Sequence, residues 1–443
     1  MTTPADTATR ATGAPASGGA PGGEGRAPGS GAGALVRLLL GAGAVVAVFL
    51  LAGLGPLLVV IAAVIVMVMV HELGHFLTAK WGRMKVTEYF VGFGPRVWSV
   101  RRGETEYGIK AIPAGGYVKI PGMSNLEEID PADEERTYRR QPFHKRIVVA
   151  CAGSFMHFVM AFLLAYGALL YFGSPTSFVT VRITSFSHWA GHTETAAQQA
   201  GLRPTDEVVA VDGHRLTSAD QFATMLRGAA GRPVRLTVER HGRDLHLTVR
   251  PVAGHLVGTA EKLGPAANGK SVGLIGVSTE PEAVLSPEGP VRGLGTAVID
   301  VGRYTAATVR AVPHGVGSLY SDVTSSKAAE QSAANGTRAE SIVGAVRTAT
   351  QAERSGMLYL IEVLIALNIA FGLLNMLPML PLDGGHVAIA LYERIRTRRG
   401  RPYYQADVTK LLPVVYAFCA VLVVVVVAAL YLDVVHPVAN PFP

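Results

Sequence analysis

Two histidines four residues apart, with a glutamate beside the first, carry the chain's most specific chemical pattern: His71-Glu72-Leu73-Gly74-His75. On a helix, residues four apart share a face, one turn above the other. Both imidazoles can therefore reach one zinc ion, at roughly 2.0–2.1 Å for each Zn–N bond. Glu72 is then placed to take a proton from a water activated at the metal. An HExxH pentad can arise by chance, but its location adds weight. It ends an apolar run from Pro56 to Val70, and Phe76-Leu77 continues that run. Two His and a Glu inside a membrane-length segment are costly to bury and mark function. The plainer alternative is a helix end whose polar groups only meet lipid headgroups.

A catalytic zinc needs a third protein ligand and one open position. The best candidate lies in Asn375-Met376-Leu377-Pro378-Met379-Leu380-Pro381-Leu382-Asp383-Gly384-Gly385-His386. Asp383 follows an apolar helix and precedes two glycines, which let backbone approach another element closely. Pro378 and Pro381 break the helix just before it and can aim it inward. His386 is the rival ligand. An Asp-Gly pair is also an ordinary turn.

The elements that must position these groups are membrane helices. Nearly half of the 443 residues are hydrophobic, and they fall in blocks, which indicates a membrane protein. The formal charge of +7 comes largely from Lys and Arg beside the apolar spans, so no nucleic-acid partner is implied. Cys151 and Cys419 sit in separate apolar segments without a CxxC spacing and read as core thiols. Residues 1–33 are rich in Gly, Ala, Pro, Ser and Thr and are expected to be disordered. From Leu35 to Ala79 the chain is apolar for longer than one span of ~20 residues. Gly53-Leu54-Gly55-Pro56 interrupts it. That gives an extra span at about 35–54 before the catalytic one at 57–79, or else one long helix kinked at Pro56. Further spans are expected at about 146–172, 357–377 and 412–432. Basic residues crowd 80–145, which marks that loop as cytoplasmic, and Arg394, Arg396, Arg398, Arg399 and Arg401 mark the same side after Asp383. Within the loop, 86–100 and 104–120 read as short antiparallel strands.

HELGH in one apolar helix and N-x-x-P-x-x-P-L-D-G-G-H in a later one resemble the site-2 protease family of intramembrane zinc metalloproteases. The likeness is greatest to the PDZ-containing bacterial branch that cleaves membrane-anchored anti-sigma factors. Val91-Gly92-Phe93-Gly94-Pro95, Pro113-Ala114-Gly115-Gly116-Tyr117-Val118-Lys119 and Ser341-Ile342-Val343-Gly344-Ala345 carry the resemblance as well. It runs from about Pro56 to the C-terminus and implies a polytopic α-helical membrane protein. Four core transmembrane helices, or five with the N-terminal one, would carry a membrane-associated β loop and an extracytoplasmic PDZ domain. The resemblance further implies that Gly115, Gly116 and Tyr117 lie in a β-structured loop beside the active site, with an edge that could pair with an unwound substrate. Asn375 would line the site and bind substrate backbone or the oxyanion; otherwise it makes an interhelical hydrogen bond. The chain departs from the family at Ala152-Gly153-Ser154-Phe155-Met156-His157, where Ala-Gly-Pro-x-x-Asn is common. His157 is either a neighbour of the zinc ligands or a purely structural histidine, the plainer reading.

Residues 34–172 and 351–443 are thus the two transmembrane catalytic halves. Between them, Phe178–Ile183, Ala196–Gly213, Asp220–Arg227, Val234–Glu239 and Leu245–Val249 look like a PDZ domain at 178–253. Residues 254–350 read as a linker, then a helix over 291–319 along the outer membrane face, then a mobile polar stretch at 325–335. The expected activity is zinc endopeptidase cleavage inside the membrane, with His71, His75 and Asp383 on zinc and Glu72 as proton carrier. Expected partners are the lipid bilayer and single-span membrane proteins, such as an anti-sigma factor or a signal-peptide remnant. The alternative is a non-proteolytic scaffold that binds partners through its PDZ domain. The PDZ domain would lie outside the cell membrane and the active site near its cytoplasmic side.

Overall fold

The structure is a computed structural model. It describes residues 32–438 and residue 440, apart from 124–128, 190–192, 258–259, 264–270, 336–337 and 398–403. The disordered tail expected at 1–33 therefore lies almost wholly outside the described residues.

In chain order the elements are α1 (Ala32–Leu51), α2 (Gly55–Trp81), β1 (Glu88–Arg102), β2 (Thr105–Lys119), α3 (Phe143–Tyr171), β3 (Ser174–Phe186), α4 (Ala196–Gln199), β4 (Glu207–Val211), β5 (His214–Arg215), α5 (Ala219–Arg227), β6 (Val234–Arg240), β7 (Arg243–Val249), β8 (Val252–Val257), β9 (Ala260–Leu263), β10 (Val272–Leu274), β11 (Val277–Ser286), α6 (Pro290–Thr324), α7 (Ser326–Ala334), α8 (Ile342–Ser355), α9 (Met357–Asn375), α10 (Asp383–Arg396) and α11 (Leu412–Val435). Among the described residues, four helical segments are long and apolar enough to cross a membrane: Gly55–Trp81, Phe143–Tyr171, Met357–Asn375 and Val408–Val435. α1 contributes a shorter apolar helix, Val36–Leu51. It is separated from α2 by a turn in which Gly53 takes φ +69°, so the chain breaks here instead of running on as one kinked helix.

The chain divides into two compact units. One comprises residues up to 157, 340–350 and 371–435; the other comprises 158–339, 351–370 and the residues from 436 on.

In the first unit α2 buries Val60, Met67, His71, Gly74, His75 and Ala79. These positions recur every three or four residues and so share one face. A methyl group on Gly74 would lie 2.6 Å from the Ala152 carbonyl oxygen, so α2 and α3 touch backbone to backbone at the pentad. Small residues permit such contacts between apolar helices. The expected strands are present but fold back on themselves. Residues 88–91 pair with 116–119 on one side and with 106–109 on the other, and 96–102 pair with 105–110. Gly92 (φ +85°) and Gly115 (φ +145°) stand at the bends, where residues with a side chain would be strained. Ala79, Met84, Val86, Ile120, Tyr138 and Val149 form the core that joins this sheet to α2 and α3.

In the second unit an antiparallel sheet has the order β11-β3-β4-β6-β7, with β5 on β4. Its core is Val181, Ile183, Leu202, Val208, Val211, Leu216, Phe222, Leu226, Leu236, Val238 and their neighbours. Two sequence expectations need correction here. The linker expected after residue 253 contains β8, β9 and β10, which form a three-stranded sheet. It also contains β11, which pairs along β3 from Val277–Phe186 to Ser286–Ser174. The stretch expected to be mobile at 325–335 is largely helix α7, capped by the Ser325 hydroxyl, which accepts from the Ala328 amide. The helix expected over 291–319 is α6, longer at its C-terminal end.

Candidate active site

Three elements of the first unit bring the candidate residues together. α2 presents His71 and His75 one turn apart on its buried face. α10 starts at Asp383, immediately after the broken stretch 376–382. The two glycines that follow are required sterically. A methyl group on Gly384 would lie 2.3 Å from the carbonyl oxygens of Met376 and Leu377, and one on Gly385 2.5 Å from the Leu380 nitrogen. The first turn of α10 therefore folds tightly onto the stretch that precedes it, and this sets where Asp383 points.

The donor atoms make a compact triangle. His71 Nε2 and His75 Nε2 are 3.2 Å apart. Asp383 Oδ2 is 3.4 Å from the first and 3.3 Å from the second. Bonds of about 2.0–2.2 Å in tetrahedral geometry place donor atoms about 3.3–3.6 Å apart. The chemistry of the donors agrees. His75 Nδ1 lies 2.8 Å from the Val149 carbonyl oxygen, which can only accept, so the ring proton belongs on Nδ1. Nε2 then turns a lone pair toward Asp383. Asp383 Oδ2 is itself buried and, among the described residues, accepts no hydrogen bond. Three electron-rich atoms that converge in a buried place need a cation among them, and zinc fits. Among the described residues these three form the one group of His, Cys, Asp or Glu with ligand atoms so placed.

Glu72 stands beside the triangle. The Val118 backbone amide faces its carboxylate. A methyl group on Gly116 would lie 2.8 Å from Met69 Sδ and 3.5 Å from Glu72 Cγ. Successive strand residues point to opposite faces. Gly116 therefore faces Glu72, while Tyr117 turns away; its hydroxyl donates to Glu88, and its ring stacks with Phe90 and Phe93. Gly115 packs beneath the Phe93 ring. Of the three loop residues singled out, Gly116 reaches the site.

Asn375, the last residue of α9, is half-buried and makes no side-chain hydrogen bond among the described residues. Asn368, also in α9, donates to the Leu364 carbonyl one turn back. His386, the rival ligand, makes a T-shaped contact with the Tyr138 ring, with centroids 6.3 Å apart, and is outside the triangle. His157 is buried against the His71 ring, centroids 4.9 Å apart, and stacks on Phe371. It supports a candidate ligand and is not one of the triangle.

Sequence reasoning missed Gly153. A methyl group there would lie 2.4 Å from both His71 Cε1 and His75 Nε2. Its absence is what leaves space for the donor atoms. The available signal was a run of small residues, Ala150-Cys151-Ala152-Gly153-Ser154, in a membrane-length helix. At the far end of α2, Lys80 and Arg136 both bond Glu104, with Lys80 Nζ to Oε1 at 2.6 Å and Arg136 Nη1 to Oε2 at 2.7 Å. The Arg136 guanidinium, with help from Lys80 and against partial burial, pulls the Glu104 carboxyl from 4.5 to about 2.

The description "Peptidase family M50" matches residues 59–422, which hold both apolar motifs and all three donors. The chain belongs to this family, the site-2 proteases. It is similar to the zinc metalloprotease Rip1 of Mycobacterium bovis, 33% identical over 420 residues, which cover 86% of this chain and 96% of that one. It is also similar to Rip1 of Mycolicibacterium smegmatis, 31% identical over 409 residues, covering 87% and 98%. This member of family M50 is therefore a zinc metalloprotease with several helices fit to cross a membrane. The non-proteolytic scaffold is set aside.

Proposed function

We propose that His71, His75 and Asp383 hold the zinc, and that Glu72 moves the proton while a peptide bond is cut within the membrane. One observation carries this reading: a buried triangle of donor atoms with edges of 3.2–3.4 Å, built on apolar helices. Bound zinc would supply a Lewis acid that makes water acidic and polarises the scissile carbonyl. Glu72 takes a proton from the attacking water as its oxygen bonds to the carbonyl carbon. The same carboxyl returns that proton to the departing amine as the C–N bond breaks. Asn375 has an uncommitted amide that can donate to the carbonyl oxygen as negative charge grows there.

The substrate must be extended at the cut, because a helix shields its own carbonyls with backbone hydrogen bonds. The segment 116–119 pairs on one side with 88–91, and no partner is described on its other side. An extended chain added to that edge would lie over Glu72, with Gly116 leaving the carboxylate uncovered. The substrates we propose are single-span membrane proteins, such as an anti-sigma factor or a signal-peptide remnant.

The sheet of the second unit supports a PDZ domain that begins near residue 178 and, with β11, extends to Ser286 instead of ending at 253. The basic loop at 80–145 supports a catalytic site toward the cytoplasm and this domain outside. There it would admit substrates already shortened by another protease.

The test uses the full chain in detergent with a single-span substrate. Glu72→Gln keeps shape and zinc but loses the base, so turnover should fall on the order of 10²–10⁴-fold. Asp383→Ala should lose zinc and activity together, and His386→Ala should keep zinc. Full turnover in Glu72→Gln, or zinc lost in His386→Ala but kept in Asp383→Ala, would overturn the assignment.

A further inference from the structure

Away from the donor triangle, the described residues of the first unit hold one enclosed ion pair whose partners neither bind zinc nor carry protons in the scheme above. Arg146 Nη1 lies 2.6 Å from Glu393 Oε2, and the two residues are 4% and 3% exposed. Burying two charges costs several kcal/mol per ion before their attraction is counted. Such a pair is a weak device for stability, and an apolar pair of similar volume often serves as well. What it offers instead is a definite position, and its placement shows what needs positioning.

Glu393 is on α10, the helix that begins with Asp383. Beyond its first turn, α10 buries two residues, Ala390 and Glu393, while Leu391, Tyr392 and Ile395 are exposed. Alanine offers little grip and Val387, Ala388 and Ile389 are only half-buried, so Glu393 is the most firmly held side chain on this part of the helix. Both carboxylate oxygens are engaged: Oε2 by Arg146, and Oε1 by the Ala406 backbone amide at 2.7 Å. Arg146 begins the stretch of α3 that supports the other two candidate ligands. Val149, three residues on, receives His75 Nδ1, and Gly153 lies against both imidazoles. The guanidinium sits over the Tyr138 ring at 5.0 Å, and the Tyr138 hydroxyl donates to the Arg146 carbonyl oxygen at 3.2 Å. The Tyr138 ring in turn makes the T-shaped contact with His386, one turn after Asp383.

We propose that Arg146 and Glu393 are positioning residues of the zinc site: their ion pair locks the helix that carries Asp383 to the helix that backs His71 and His75. The inference rests on the ligand assignment above. Without the pair, α10 would be held mainly at its first turn, and Asp383 could rotate away while the rest of the fold persists. Outer partners of this kind typically change metal affinity by about 10–100-fold.

The experiment compares full-length protein with Glu393→Gln, Glu393→Asp and Arg146→Lys. Each is followed by zinc competition against a chelator, by the visible spectrum of the cobalt-substituted protein, and by kcat and KM on a single-span substrate. Zinc affinity should fall about 10–100-fold in Glu393→Gln, with an altered cobalt spectrum and a lower kcat at unchanged KM. Glu393→Asp keeps the charge but shortens the reach by one methylene, and it should perturb the spectrum as well. A folded Glu393→Asp or Arg146→Lys with wild-type affinity and spectrum would overturn the proposal, even with a lower melting temperature. Asp383→Ala separates the two readings. Zinc retained there removes the ligand assignment itself; zinc lost there but held normally in the pair variants removes only the positioning role.

Discussion

The Val149 carbonyl oxygen accepts a 2.8 Å hydrogen bond from His75 Nδ1, and so a backbone atom of α3 decides which nitrogen of an α2 histidine faces Asp383. The active side of the site is on α2 and α10, but its orientation is set from α3. The first prediction follows from that division of labour.

Gly153→Ala should abolish the zinc site without unfolding the helix. The added methyl would sit 2.4 Å from both imidazoles, so the rings would have to leave the positions that bring their nitrogens together. We expect zinc affinity to fall at least on the order of 10–100-fold, with turnover lost in parallel. Gly167→Ala, on the same helix with nothing within 4 Å, is the control and should keep both. Zinc content after gel filtration and cleavage of a single-span substrate measure the outcome.

Gly116→Val should have the opposite signature. Its side chain would press on Met69 and Glu72 and stand where an extended substrate is expected to lie. Zinc should be retained while kcat/KM drops by about 10²-fold, the size expected for misplacing reacting groups by an ångström. Normal cleavage would remove this strand edge from the substrate path.

Glu104 contributes a pH-dependent tie. Its carboxyl is at about 2 in the folded protein, down from 4.5. The stabilisation is therefore fully present above about pH 4.5 and is lost as the pH falls toward 2. Because the group is partly exposed, its contribution should stay under about 1 kcal/mol. The wild-type melting temperature should drop through this window more steeply than that of Glu104→Gln. Equal slopes would show that the contacts with Arg136 and Lys80 do not stabilise the fold.

Topology can be read by labelling. In a chain with Cys151 and Cys419 replaced by Ala, an impermeant thiol reagent added outside should modify Asp244→Cys and spare Arg101→Cys. Both positions are exposed, so accessibility does not confound the comparison. The reverse pattern would invert the orientation inferred from the basic loop.

Sequence spacing alone paired His71 with His75, because four residues make about one helical turn whatever surrounds the helix. Hydropathy alone identified the four long apolar spans, because length and apolar content are properties of the segment. The alternation of Phe178–Ile183 and Val234–Glu239 was legible for the same local reason. β11 was not, because its residues Thr279-Glu280-Pro281-Glu282 lack strand alternation. They become a strand only by pairing with β3, about a hundred residues earlier. Only the tertiary structure shows that Asp383, and not His386, stands with the imidazoles, since both follow the same break and their placement depends on which side of α10 faces α2. Only it revealed Gly153 and the Arg146–Glu393 pair, whose roles consist of what lies opposite them. Periodicity reports how a segment meets its surroundings in general; which atom it meets is a property of the packed chain.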